Sequence, residues 1–374
     1  MWYIILCLFY IMYYYNYVIE TPQIYYSKNM LNIYKNMPSL HKRIYWAFGL
    51  HNSYIQYILY LKNCKIDKII GKQLYKEYII KTYDNENLLI GIGQVNYKIN
   101  GILLIFHTVF GDYCDSAKEI KKLCKNLNLL PISYSRRGHS LKLTKSKFNS
   151  VGNINDLELI LDYINLHYPT LSIYGLGMSA GTSILTRYLG NVKNKSRIEL
   201  AILLSPGFHF KKSQKNINNY ITKILVNRAK KQWLIPNKKT LCKTDIDTKY
   251  YNLLLNSQSM EEWHTYQWYF TKKSNNEEEY YRIFDPIHVL QYIQIPILYI
   301  NSEDDLVFDK KLISQYRNII HKSDNTLLVQ TKHGGHLGFY DIIFNNWAFQ
   351  ISKEFIQSYK KNKYYSDILE LEHI

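Results

Sequence analysis

The sequence predicts an α/β protein, a mostly parallel central sheet with helices packed on both faces. From about residue 85 onward, short apolar runs of strand length alternate with helical patterns. Those runs are continuously apolar, as strands buried on both faces are. The chain has 374 residues, 47% apolar and 15% aromatic, enough for one large core or two ordinary ones.

The chain opens on an unusual segment. Residues 2–19 carry no charged side chain, and Glu20 is the first. About 18 apolar residues at 1.5 Å each just span a hydrocarbon core of ~30 Å. The segment lacks the basic start and small-residue cleavage site of a removed signal peptide. It is therefore expected to be a single-pass membrane anchor over residues 1–20. Its many tyrosines suit the headgroup level, so a shallower attachment is one alternative. A hydrophobic helix docked on the domain is another.

Residues 21–84 form an extension of mixed helix and loop with no chemical motif. The main domain is expected over 85–374, and a chain starting near Thr21 is expected to keep it whole. Strands are predicted at 88–92, 101–106, 129–134, 171–174, 200–204, 297–300 and 326–329, each bounded by polar or turn residues. Between them, residues 156–167 read as a helix with Leu157, Ile160, Leu161 and Ile164 on one face. One stretch breaks the alternation. Residues 208–285 are Lys-, Asn- and Tyr-rich and mostly helical, and an insertion of roughly 80 residues between strands reads as a cap.

Composition narrows the function classes. Five scattered cysteines (Cys7, Cys64, Cys114, Cys124 and Cys242) support neither a disulfide framework nor a metal site. No cofactor is implied. With 47 Lys and Arg against 30 Asp and Glu, the formal charge is +17. Lysine, asparagine, isoleucine and 37 tyrosines are abundant throughout, which favours a general bias over a designed patch. The remaining reading is an anionic membrane surface. Nucleic acid ranks last, because no recognised binding motif accompanies the charge.

The chemistry gathers at Gly177-Met178-Ser179-Ala180-Gly181, after the predicted strand 171–174 and before a helix over 182–189. A serine on such a strand-to-helix turn is lifted clear of the sheet, with glycines two residues either side keeping the backbone from clashing. The hydroxyl is inert until a base takes its proton, so a histidine oriented by a carboxylate is needed. Both follow in order. Glu303-Asp304-Asp305 ends the predicted strand 297–300, and Lys332-His333-Gly334-Gly335-His336 follows 326–329. His336 is the expected base and His333 a structural neighbour. Asp305 is favoured as the acid over Asp304, because it leads into the next helix. Two backbone N–H groups are expected to receive the oxyanion, from Ala180 and from Val109 in the loop after 101–106.

These residues, with Tyr134-Ser135-Arg136-Arg137-Gly138, Tyr188-Leu189-Gly190, Ser205-Pro206, Leu337-Gly338-Phe339 and Trp347-Ala348, resemble one branch of the α/β-hydrolase superfamily. It is the branch of medium-chain ethyl-ester synthase/esterases and membrane-anchored α/β-hydrolase-domain lipases, and the resemblance covers about residues 85–360. It implies the α/β-hydrolase fold, a triad of Ser179, Asp305 and His336, an N-terminal membrane anchor, and acyl-ester or lipid substrates. The chain departs from the family at Thr108, where glycine usually follows the loop histidine.

Arg136 and Arg137 are expected to support the fold rather than hold an anionic headgroup. His107-x4-Asp112 and His336-x4-Asp341 match an acyltransferase pattern with only two fixed positions, which chance readily supplies. The leading reading is a membrane-associated serine hydrolase of carboxylic esters. Acyl transfer to an alcohol would use the same residues, and a non-catalytic lipid-binding scaffold is the rival from another class.

Overall fold

The computed structural model describes residues 2–215, 217–320 and 322–372. Nine strands form one sheet: β1 (Gln23–Tyr26), β2 (Tyr75–Lys81), β3 (Asn87–Gly93), β4 (Ile102–Phe106), β5 (Leu130–Ser135), β6 (Ile173–Met178), β7 (Ile198–Leu204), β8 (Ile297–Ser302) and β9 (Thr326–Thr331). Their order is β1-β9-β8-β7-β6-β4-β5-β3-β2. Neighbours from β5 through β4 and β6 to β9 run parallel, while β1, β2 and β3 join antiparallel at the two edges.

The continuous apolar runs have a simple cause. In β4, Leu103 and Ile105 point into one core while Ile102, Leu104 and Phe106 point into the other. The alternation continues in β8, where Leu298 and Ile300 oppose Ile297 and Tyr299. Successive strand side chains face opposite ways, so a sheet covered on both sides needs apolar residues at every position. The helices α4 (Ala117–Leu127) and α14 (Trp347–Glu372) cover the first face, and α5 (Ile154–His167) and α6 (Ala180–Val192) the second. The predicted helix 156–167 starts earlier because the side chain of Asn153 caps the Asn155 amide at 3.1 Å.

Between β7 and β8 lie α7 (Phe210–Lys215), α8 (Asn219–Ala229), α9 (Lys238–Leu241), α10 (Asp245–Asn256), α11 (Met260–Thr271) and α12 (Glu277–Phe284). Their starts are legible as caps: Thr244 accepts from Asp247 N, Ser259 from Glu262 N and Asn276 from Glu279 N. These helices close over a core of their own around Trp233, Trp263 and Phe270, which also takes in Phe110 and Phe148 from the body.

The N-terminal region differs from expectation. The apolar run forms α1 (Trp2–Tyr13), only 12 residues long and with no buried side chain. At 1.5 Å per residue it reaches about 18 Å, against a hydrocarbon core of ~30 Å. Among the described residues, no helix is long and apolar enough to cross a membrane. The run continues as a π-helical turn over Tyr14–Val18 that belongs to the domain: Tyr14, Val18 and Ile19 are buried, and the Tyr14 hydroxyl donates to the Trp46 carbonyl at 2.6 Å. Residues 21–84 likewise supply β1, β2, α2 (Leu31–Lys35) and α3 (Ser53–Leu74).

This placement sets the first prediction. A chain beginning at Thr21 sheds three buried apolar side chains, each worth roughly 1.5–3 kcal/mol. It is expected to lose about 5 kcal/mol or more in a urea titration, against the alternative that such a truncation keeps the domain whole. Removing residues 2–9 alone, short of Tyr10 and its contacts with Phe48 and Gly49, should leave the urea midpoint nearly unchanged. A Thr21 start with wild-type stability would contradict the placement of Tyr14, Val18 and Ile19.

Candidate active site

Ser179 stands between β6 and α6 with φ 50° and ψ −117°. That backbone costs a residue with a side chain about 1–3 kcal/mol and persists only where the surroundings impose it. Here they do. A β-carbon on Gly181 would lie 2.0 Å from the Phe106 carbonyl oxygen, and one on Gly177 would lie 2.9 Å from Thr182 Cα. The two glycines let α6 start flush against β4, which leaves the serine at the turn.

The structure brings three predicted residues together. His336 Nε2 lies 2.7 Å from Ser179 Oγ, and His336 Nδ1 lies 2.9 Å from Asp305 Oδ2. Asp305 is held in turn by the amides of Val307 and Phe308, which donate to its Oδ1 at 2.7 and 3.0 Å. Asp304 points elsewhere: its Oδ1 accepts from the Gly335 amide at 2.8 Å, and its Oδ2 lies 3.6 Å from His333 Nδ1. Burial opposes protonation of His333, but the Asp304 and Glu20 carboxylates with the Tyr17 backbone together outweigh it and raise the pKa.

The histidine loop is braced from the N-terminal side, which sequence reasoning missed. Glu20 is buried, and its carboxylate accepts from the amides of Lys332 (2.7 Å) and His333 (3.1 Å) and from Trp46 Nε1 (2.7 Å). Gln56 on α3 exchanges hydrogen bonds with Tyr340, accepting from its amide at 2.8 Å. Nothing in the sequence marks Glu20 except its position as the first charge. It is buried because three donors meet it there.

The oxyanion loop is equally fixed. Thr108 is tied down by a carboxylate: both its amide and its hydroxyl donate to Asp115 Oδ2, at 2.8 and 2.7 Å. The Tyr60 hydroxyl donates to Asp115 Oδ1 at 3.2 Å. Arg136 donates to the carbonyls of His107 (2.8 Å) and Thr108 (2.6 Å). Val109 follows directly and lines the same cleft as Ser179 and His336. Among the described residues, neither the Val109 nor the Ala180 amide meets a backbone acceptor. The β-carbon at position 108 thus comes with a carboxylate that pins it.

Arg137, the second arginine of the pair, pairs bidentately with both Asp156 and Asp84, all four contacts at 2.7–2.8 Å. Its role is structural, as expected. His107 is likewise turned inward, its Nδ1 bonded to the Thr108 carbonyl and its Nε2 accepting from the Arg136 amide. Burial, then the neighbouring Arg136 charge, holds His107 well below the usual range and pushes His139 down to about 3.

Both imidazoles therefore stay neutral in the fold while the unfolded chain protonates near pH 6.5. Stability is full above that pH and is lost as pH falls through it, because only the unfolded state takes up the protons. At pH 5, His139 alone is expected to account for roughly 2 kcal/mol of destabilisation. Urea midpoints at pH 7 and pH 5 measure this, and a His139→Gln variant should show a smaller difference. An equal difference in the variant would contradict the assignment.

The cleft over Ser179 measures about 80 Å³. Tyr57 and Leu61 of α3, Val109, Phe110, Leu337 and Leu225 of α8 give it apolar walls, and Arg228 and Lys68 also line it. Among the described residues, no group of three or more His, Cys, Asp or Glu is arranged to hold a metal ion.

Sheet order, elbow serine and the hydrogen-bonded acid–histidine pair together define the class: an α/β-hydrolase fold. No family model matches the chain. It is 22% identical over 222 residues to human monoacylglycerol lipase ABHD2, covering 54% of this chain and 50% of that one. It is 24% identical over 225 residues to bovine phospholipase ABHD3, covering 55% and 50%. The chain thus matches about half the length of these curated relatives. Among solved structures, the Pyrococcus furiosus esterase Pf2001 aligns with a TM-score of 0.50 at 15% identity, covering 77% of this chain and 94% of that one. A Staphylococcus aureus protein of unknown function aligns with a TM-score of 0.52 at 14% identity, covering 75% and 97%. The chain thus has the α/β-hydrolase fold and is similar in sequence to lipases over about half of its length.

Proposed function

We propose that the protein is a serine hydrolase of carboxylic esters, acting on lipid or medium-chain acyl esters at a membrane surface. One observation carries the reading: Ser179 Oγ, His336 and Asp305 form a continuous hydrogen-bonded relay at the floor of an apolar cleft.

In this reaction His336 Nε2 takes the Ser179 proton as Oγ attacks the ester carbonyl carbon. The tetrahedral oxyanion is met by the Val109 and Ala180 amides, preset donors at the elbow and the pinned loop. Collapse expels the alcohol, which leaves with the proton from His336. Water then repeats the sequence on the acyl-enzyme and frees the acid. Asp305 holds the imidazole in the tautomer that accepts at Nε2.

The substrate class rests on the cleft walls and on the relatives, which are named as acting on monoacylglycerol and phospholipid. Attachment rests on α1, whose Trp2, Tyr3, Leu6, Leu8 and Phe9 are all exposed. A short aromatic helix of this kind suits the headgroup boundary, one leaflet deep. The test is a p-nitrophenyl ester series from two to twelve carbons. Turnover peaking at medium chains and vanishing in Ser179→Ala is expected, and a folded wild-type chain that cleaves none of the series would overturn the reading.

A further inference from the structure

A cavity of about 380 Å³ lies apart from the Ser179 cleft and shares no lining residue with it. Four cations line it, Lys42, Arg43, Lys122 and Lys353, against two acids, Glu119 and Asp341. Among the described residues none of the four is ion-paired to an acid. Arg43 donates to the Tyr15 carbonyl at 3.2 Å and Lys122 to Asn345 Oδ1 at 2.9 Å, both neutral acceptors. Asp341 is occupied locally, accepting from the amides of Ile343 (3.0 Å) and Asn345 (2.9 Å).

The rim of this cavity is a fixed apolar tip. Asp341 N donates to the Asn345 carbonyl at 3.0 Å and Phe344 N to the Asp341 carbonyl at 2.9 Å, closing the turn. Ile342 N donates to the Tyr45 carbonyl at 2.7 Å, which ties the turn to the body. The tip leaves Ile342, Ile343 and Phe344 exposed at 46%, 71% and 54%. Side chains held ready by backbone hydrogen bonds lose little entropy on entering an apolar phase. The same face adjoins α1, since Arg43 holds the carbonyl of Tyr15, two residues beyond the helix end.

We propose that this face is a second lipid contact, with Ile342, Ile343 and Phe344 entering an anionic bilayer and the four cations holding a phosphate-bearing headgroup in the cavity. The proposal rests on the lipid-surface reading above and adds where the body itself touches the surface. The apolar tip supplies a salt-insensitive part. Each basic side chain near an anionic surface adds roughly five-fold in affinity, screened over a Debye length of ~8 Å.

Sedimentation of the full chain with phosphatidylcholine vesicles, with and without phosphatidylserine, tests this. Phosphatidylserine is expected to raise affinity at least ten-fold. An Ile343→Asp/Phe344→Asp variant should lose about ten-fold on either vesicle, and a Lys42→Gln/Lys122→Gln/Lys353→Gln variant should lose most of the phosphatidylserine gain. Both should cleave p-nitrophenyl butyrate at the wild-type rate, because the face lies apart from Ser179. If the tip variant misfolds, the charge variant decides. Wild-type binding by both variants would overturn the proposal and leave α1 as the contact. A wild-type chain that ignores both vesicles yet cleaves the soluble ester would overturn it while the hydrolase reading stands. Failure to cleave the soluble ester strikes the hydrolase reading alone.

Discussion

Ser179→Ala is expected to lower turnover of a soluble ester by about 10⁶-fold, the loss seen when a triad nucleophile is removed. The change deletes one oxygen from a buried position. It leaves the elbow backbone, the Gly177 and Gly181 contacts and the α6 start as they are. Stability should therefore stay within ~1 kcal/mol of wild type by urea titration, or rise slightly as a polar group leaves a tight site. Turnover retained within ten-fold would mean that another residue attacks the ester. The neighbouring Ser205 is the residue to examine then, since its Oγ sits under Leu337 and accepts that amide at 3.3 Å.

Asp305→Asn is expected to lower turnover by about 10⁴-fold, because the amide favours the wrong imidazole tautomer. Asp304→Asn should cost less than ten-fold. Its carboxylate holds the Gly335 amide, which an asparagine oxygen also accepts, and its second partner is His333 rather than His336. Steady-state kinetics on both variants measure the ranking. The reverse order would assign the orienting role to Asp304 and leave the Asp305–His336 contact without function.

How far the sequence spoke depended on whether a feature was local. The strands from β3 to β9 are central and buried on both faces, so their composition announced them. The elbow was equally plain, because the close approach of α6 to β4 admits only glycine at position 181. The acid–histidine pairing was readable as order along the chain, Ser179, then Asp305, then His336. What escaped was non-local or at an edge. The exposed edge strand β2 (Tyr75–Lys81) is broken up by Lys76, Glu77 and Lys81, and β1 has only four residues in a tyrosine-rich stretch. Glu20 and Asp115 matter through partners 312 and 7 residues away in sequence. No spacing rule reaches the first, and the second gains its meaning only from Thr108. The division of the N-terminal run was hidden for a related reason. Its hydrophobicity was continuous, but Tyr14, Val18 and Ile19 serve the domain core, Tyr10 packs on its edge against Phe48, and Trp2, Tyr3, Leu6, Leu8 and Phe9 face outward.

The central claim is that Ser179, driven by His336, performs nucleophilic attack. Reaction of the full chain with a fluorophosphonate, followed by proteolysis and mass spectrometry of the labelled peptide, tests it most directly. The phosphonate mimics the tetrahedral intermediate and needs both an activated nucleophile and an oxyanion site. The account predicts one adduct per chain, on Ser179, absent from Ser179→Ala and slowed in His336→Gln. An adduct on any other residue, or none on a folded wild-type chain, would contradict it.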